Sequence, residues 1–321
     1  MLKDLTYKVV VIDDEEELYE DYTEIIRERL TSEGYLLDPK HIEDLEDLNA
    51  CSLNEVDLFL VDLKFGKQDK GPEFIKKIRE GYLTDILFYS SDALAIHEYR
   101  KSGEFQGVFF AVRDENTSEI AELIDQLITK MIKRSNTPLS SRGIVLGSVA
   151  ELDNIIKSKI ATLLSKIDAG HQKTLMDDCT KEYFKSYKSQ SKKIGEFWGC
   201  EFHHGMKEWS EVKSSYSDYQ ILELIHNVKI TDSHKNLRVL LNTYNVLNGK
   251  DETYYTLSQI TDLLNDRNIF AHVQEELGED GIYRFKRLSG EDDLVLSEET
   301  CQKLRIAIIK YLSLVNDIEI A

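Results

Sequence analysis

The hydrophobic period changes part-way along the chain. Through residues 1–134, short aliphatic and β-branched runs alternate with stretches whose apolar positions recur every three or four residues. That is the pattern of βαβ units on a parallel sheet. It predicts strands at Tyr7–Ile12, Gly34–Leu37, Leu58–Val61, Ile86–Tyr89 and Gly107–Val112. Helices are predicted at about 15–31, 43–51, 71–81, 93–102 and 118–133. Val9-Val10-Val11-Ile12 and Leu58-Phe59-Leu60-Val61 are apolar without alternation, as strands covered on both faces must be. Lys130, Lys133 and Arg134 close the fifth helix, placing cations at the negative end of its dipole.

Ser135-Asn136-Thr137-Pro138-Leu139-Ser140-Ser141 is a run of turn formers and reads as a linker over 135–143. It divides the chain into domains at 1–134 and 144–321. Beyond it the pattern is helical. Ser148-Val149-Ala150-Glu151 has the form of a capping box opening a helix to about 168. Further helices are predicted near 172–194, 206–228, 233–248 and 256–274. Tyr283, Phe285 and Leu294-Val295-Leu296 form a candidate hairpin, and Ser297 caps a last helix at 298–316. The fold class is therefore α/β followed by a mostly α-helical domain.

Charge sharpens this division. The net charge is −19. Residues 1–130 hold 31 acids against 15 bases, whereas residues 131–321 hold 28 against 25. An acidic surface repels nucleic-acid phosphates, so any such contact belongs to the second half. No apolar run approaches the length of a membrane span. The apolar stretch near the N-terminus runs straight into acids and reads as a strand, not a signal peptide. Cys51, Cys179, Cys200 and Cys301 lie far apart, without a disulfide framework, which predicts a reducing cytoplasm.

Ligands of open parallel sheets sit at the carboxyl ends of the strands. Here those ends carry Asp13-Asp14, Asp62, Ser90-Ser91 and Arg113. Adjacent carboxylates repel one another unless a hard cation such as Mg²⁺ neutralises them. A carboxylate beside that ion is a nucleophile toward phosphorus, and a hydroxyl and a cation can hold the transferred oxygens. The order and spacing of these residues over 1–134 resemble the receiver domain of two-component response regulators. The resemblance implies a flavodoxin-like, doubly wound five-stranded sheet and phosphorylation of Asp62 by a histidine kinase or phosphotransfer protein. It further implies Mg²⁺ held by Asp13, Asp14, Asp62 and the carbonyl of Lys64, with Ser90, Phe110 and Arg113 as the phosphoryl switch. Arg113 stands where receivers carry Lys, Asp114 where they carry Pro, and Gly71 arrives one residue late. Arginine is a rigid fork and lysine a point charge, so the first exchange is not conservative.

In the second half, Asn265-Asp266-Arg267-Asn268-Ile269-Phe270-Ala271-His272 pairs a permanent cation with a group that transfers protons near neutrality. Asn268 and His272 fall one helical turn apart. The string resembles the motif of HEPN domains, helical domains of which many are metal-independent ribonucleases in toxin–antitoxin and phage-defence systems. The resemblance implies that Arg267, Asn268 and His272 act on RNA, with two copies completing the cleft in a homodimer. A non-catalytic regulator whose helical half dimerises or binds a partner protein is the alternative reading. A DNA-binding factor fits poorly, because no helix-turn-helix with a basic recognition helix is visible. Lys181, Lys185, Lys188, Lys192 and Lys193, interleaved with Tyr183, Phe184 and Tyr187, read as an RNA-tracking face or as a solvated helix. Cys200, His203 and His204 lack the second ligand pair that a zinc site needs.

Overall fold

The computed structural model describes residues 3–49, 52–65, 68–103, 105–113, 118–198, 232–273, 275–280, 283–285 and 294–318. The chain divides into two units, Met1–Ile144 with Leu296–Ile306, and Val145–Val295 with Ala307–Ala321.

In the first unit, five parallel strands form one sheet: β1 (Thr6–Ile12), β2 (Leu36–Ile42), β3 (Leu58–Asp62), β4 (Asp85–Ser90) and β5 (Val108–Val112). Their order is β2-β1-β3-β4-β5, the flavodoxin-like arrangement. Helices α1 (Glu16–Ser32), α2 (Leu45–Asn49), α3 (Gly71–Arg79), α4 (Ala93–Ser102) and α5 (Ser118–Ser135) follow the strands in turn. Every residue of β3 is buried, as are Val9–Ile12 of β1, so both read as unbroken apolar runs. Phe59, Phe74, Ile75, Ile78, Ile86 and Phe88 belong to one buried cluster. Each such side chain contributes roughly 1.5–3 kcal/mol by leaving water. The chain passes from β1 to β2 on one side and then to β3 on the other, which opens a crevice at the carboxyl ends of β1 and β3.

The edge strand departs from the sequence expectation. β2 occupies Leu36–Ile42 instead of Gly34–Leu37, and runs through Pro39, whose register partner is Val9. Proline cannot donate to a ladder and is tolerated at a sheet edge. Asp38, Pro39 and Lys40 hide the strand from a hydrophobicity pattern. Of the predicted 43–51 helix, α2 covers Leu45–Asn49, and a 3₁₀ turn lies beyond it at Leu53–Glu55.

The turn formers at 135–143 make a short break. Two non-helical residues, Asn136 and Thr137, separate α5 from α6 (Pro138–Leu164). The Thr137 hydroxyl accepts from the Ser140 amide at 3.3 Å, and Pro138 takes the first helical position, where a missing N–H is harmless. Ser148 lies buried inside α6, so the expected capping box is a helix interior.

The second unit is mostly helical. It holds the greater part of α6, then α7 (Ala169–Trp198), α8 (Ser233–Asn248), α9 (Glu252–Ser258), α10 (Ile260–His272) and the end of α11 (Glu298–Asn316). The helix expected at 256–274 is two helices, because the Asp251 carboxylate caps α9 through the Tyr254 amide at 2.8 Å and the chain turns at Gln259. After α10, β6 (Glu275–Leu277) pairs antiparallel with β7 (Tyr283–Phe285). With β8 (Leu294–Leu296) they form a sheet in the order β6-β7-β8. Ser297 caps α11 as expected, through the Thr300 amide at 3.1 Å. The helix expected at 206–228, and Cys200, His203 and His204, lie outside the described residues. Among the described residues no helix is long and apolar enough to cross a membrane.

Candidate functional site

Asp13 directly follows β1 and Asp62 ends β3, strands paired in register through Ile12 and Val61. Asp13 is fully buried, Asp62 is 3% exposed and Asp14 faces solvent. One oxygen from each of the three lies within 4.8 Å of the others. Burial, and secondly the Asp13 charge, push the Asp62 carboxyl up to about 7, against the pull of Arg113 and the Lys64 and Leu63 amides. Burial also raises Asp13, opposed by the Tyr89 hydroxyl and the Glu15 amide. Asp62 Oδ1 is buried with no hydrogen-bond partner among the described residues. A cluster of hard oxygen donors with one orphaned buried oxygen fits a divalent cation.

The other strand ends converge on the same crevice. Ser90 closes β4, 1% exposed, its Oγ accepting from the Asp92 amide at 3.2 Å. Arg113 lies just past β5, its Nη2 3.1 Å from Glu15 Oε1, while its buried Nη1 has no partner among the described residues. Phe110 on β5 packs edge-on to Phe88, centroids 6.0 Å apart. The Lys64 side chain turns to Asp92, Nζ to Oδ2 2.8 Å, tying the loop after β3 to the residue that caps α4. Two tyrosines missed by sequence reasoning join the site. Tyr89 is fully buried and donates its hydroxyl to Asp13. Tyr22 of α1 packs edge-on to it at 5.3 Å. Inside the apolar run Leu87-Phe88-Tyr89 a tyrosine reads as core, so its hydroxyl gave no signal.

No family model matches the chain, and no curated protein matches it.

The second unit holds another polar site. A cavity of about 300 Å³ is lined by Asp153 and Lys157 of α6, Asp232 and the first turn of α8, and Leu264, Arg267 and Asn268 of α10. Arg267 Nη1 donates to Asn268 Oδ1 at 3.1 Å, and Asn268 Nδ2 lies 3.4 Å from His234 Nε2. Asn236 Nδ2 donates to Asp153 Oδ1 at 3.0 Å, and Lys157 pairs with Asp153 at 2.7 Å. Burial lowers the His234 pKa, and the charges of Arg238 and Arg267 add to this against Asp232. Arg267 and Asn268, neighbours in sequence, both line this cavity. His272 ends α10, but its side chain lies outside the described residues. His234 was missed because it stands far from the motif, at a helix start where Asp232-Ser233 read as capping residues. Lys181, Lys185 and Lys192 are exposed on α7 beside the exposed Tyr187; Phe184 and Lys188 are half-buried, and the side chains of Tyr183 and Lys193 lie outside the described residues.

Proposed function

We propose that the first unit is a receiver domain, that Asp62 accepts a phosphoryl group, and that the protein is a response regulator. One observation carries this reading: three carboxylates gathered within 4.8 Å at the switch point of the sheet, with an unpaired buried oxygen on Asp62. Asp13, Asp14, Asp62 and the Lys64 carbonyl would hold Mg²⁺, and the bound ion would supply the positive charge that keeps the acceptor ionised. An Asp62 oxygen then bonds to phosphorus as the bond to the donor nitrogen of a histidine kinase or phosphotransfer protein breaks. The Ser90 hydroxyl and the Arg113 guanidinium hold the transferred oxygens, and Phe110 follows the movement of Ser90. Arg113 has to leave or share Glu15 for this, which a lysine would do with less geometric constraint. Acetyl phosphate or beryllofluoride should load the wild type in Mg²⁺ and spare Asp62→Asn. Equal labelling of the two proteins would sink the assignment.

A second reading concerns the output. We infer that the helical unit is HEPN-like and cleaves RNA without metal, as in toxin or phage-defence systems, within a cytoplasmic homodimer. Its support is the hydrogen-bonded Arg267–Asn268 pair in the wall of a polar cavity. Arg267 offers charge to a developing phosphorane. Arg267→Ala should lower cleavage of mixed RNAs by about 10²–10³-fold. Wild-type protein that leaves every RNA intact would make the helical unit a binding or dimerising module instead.

A further inference from the structure

We propose that His234 is the proton-accepting catalytic residue of the α8–α10 cavity and that Asn236 recognises the 2′-hydroxyl of an RNA ribose there. The catalytic half rests on the RNA-cleavage reading; the ribose-recognition half stands without it. A guanidinium only donates, so the amide oxygen of Asn268 must face Arg267. Its NH₂ is then turned to His234, and an amide NH₂ can only donate. His234 Nε2 therefore carries the lone pair, and the ring proton sits on Nδ1. At 3.4 Å this contact is long and weak, so an entering hydroxyl can take its place. The charged groups around the ring are Asp232, Lys235 and Arg238 on or capping α8, Arg267 on α10, and the paired Asp153 and Lys157 on α6. Burial with Arg238 and Arg267 outweighs Asp232, which leaves the imidazole neutral and able to take a proton.

Two unmet valences define the ligand. Asn236 is 1% exposed and lines the cavity, and its Oδ1 has no partner among the described residues. Its Nδ2 is committed to Asp153, so the oxygen is left to accept a ligand O–H or N–H. Arg267 Nε is likewise buried without a partner among the described residues and asks for an anion. A hydroxyl donor beside an anionic oxygen is the ribose 2′-hydroxyl next to its 3′-phosphate. DNA lacks the first member of that pair. In the reaction the 2′-hydroxyl turns its single proton from Asn236 Oδ1 to His234 Nε2 and gives it up there as the 2′-oxygen bonds to phosphorus. The P–O5′ bond breaks, the 5′-oxygen takes a proton from water, and His234 returns its proton to solvent. The products are a 2′,3′-cyclic phosphate and a 5′-hydroxyl.

The test uses the full chain with ¹⁵N-labelled histidine, titrated with adenosine 3′-monophosphate, its 2′-deoxy counterpart and inorganic phosphate. The ribonucleotide should bind about tenfold more tightly than the deoxy form, the worth of one hydrogen bond to a buried acceptor, and should shift the His234 ring resonances. His234→Gln should keep nucleotide binding within about threefold and lose about 10²-fold or more in RNA cleavage. Equal binding of the ribo and deoxy forms overturns the ribose site. Full cleavage by His234→Gln overturns its role as base while leaving the RNA-cleavage reading intact. Ribose selectivity in a protein that cleaves no RNA keeps the recognition by Asn236 and overturns the catalytic half.

Discussion

Asp62 departs from what folding alone would favour. Its carboxyl is pushed up to about 7 by burial, whereas in the unfolded chain it ionises near 4. The folded state thus holds the proton more tightly, and ionisation costs stability. The cost is absent below about pH 4, grows through the interval and is complete above about pH 7. Without divalent cation, Asp62→Asn should therefore stabilise the protein at pH 8 by about 2–4 kcal/mol, and the gain should vanish at pH 4. Thermal melts at the two pH values check this, and a gain that persists at pH 4 contradicts it. Gly71 is bound to the same place by sterics. A Cβ there would lie 2.3 Å from the Asp62 carbonyl oxygen and 2.8 Å from Leu63 Cα. Because those neighbours are backbone, Gly71→Ala should destabilise by about 2–4 kcal/mol, seen in urea unfolding, and should weaken phosphoryl loading. The late arrival of this glycine, a departure in sequence, is in space the close approach that lets α3 start against β3.

At the scale of elements, legibility followed burial. β1, β3 and β4 announce themselves because both faces are covered, and α11 because Ser297 caps it with its own side chain. β2 was displaced because an edge strand tolerates Pro39 and polar neighbours. The capping box at Ser148 misled because Ser-x-x-Glu also occurs inside a helix, and the real start of α6 is set by Thr137 and Pro138. Thr137→Ala should therefore cost about 1 kcal/mol and Thr137→Ser almost nothing, measured by chemical denaturation. Equal loss in both would mean that the hydroxyl does not hold the helix start. In the site the same logic held. The acids stood in order along the sequence because each ends a strand, while Tyr22, Tyr89 and His234 were invisible, since only the fold brings them to Asp13 and to Asn268.

For the whole molecule, the charge division and the two sites imply two chemistries with different requirements. Residues 1–130, with twice as many acids as bases, suit a cation and repel RNA phosphates. The residues that would meet RNA, Lys181, Lys185, Lys192, His234 and Arg267, all belong to the second unit. Chelation should therefore separate the activities. Beryllofluoride loading of Asp62 should disappear in EDTA, because buried carboxylates need the ion to stay charged together. RNA cleavage should continue in EDTA, because proton transfer by His234 and charge compensation by Arg267 need no ion. With Mg²⁺ restored, beryllofluoride should change the cleavage rate of the wild type and leave that of Asp62→Asn unchanged. The measurement is one initial rate on one RNA, with and without chelator and beryllofluoride, for both proteins. Cleavage that stops in EDTA and returns with Mg²⁺ in Asp62→Asn would put a metal requirement in the helical unit and end the metal-free reading. A rate blind to beryllofluoride in the wild type would leave the receiver assignment standing and remove its control over the output.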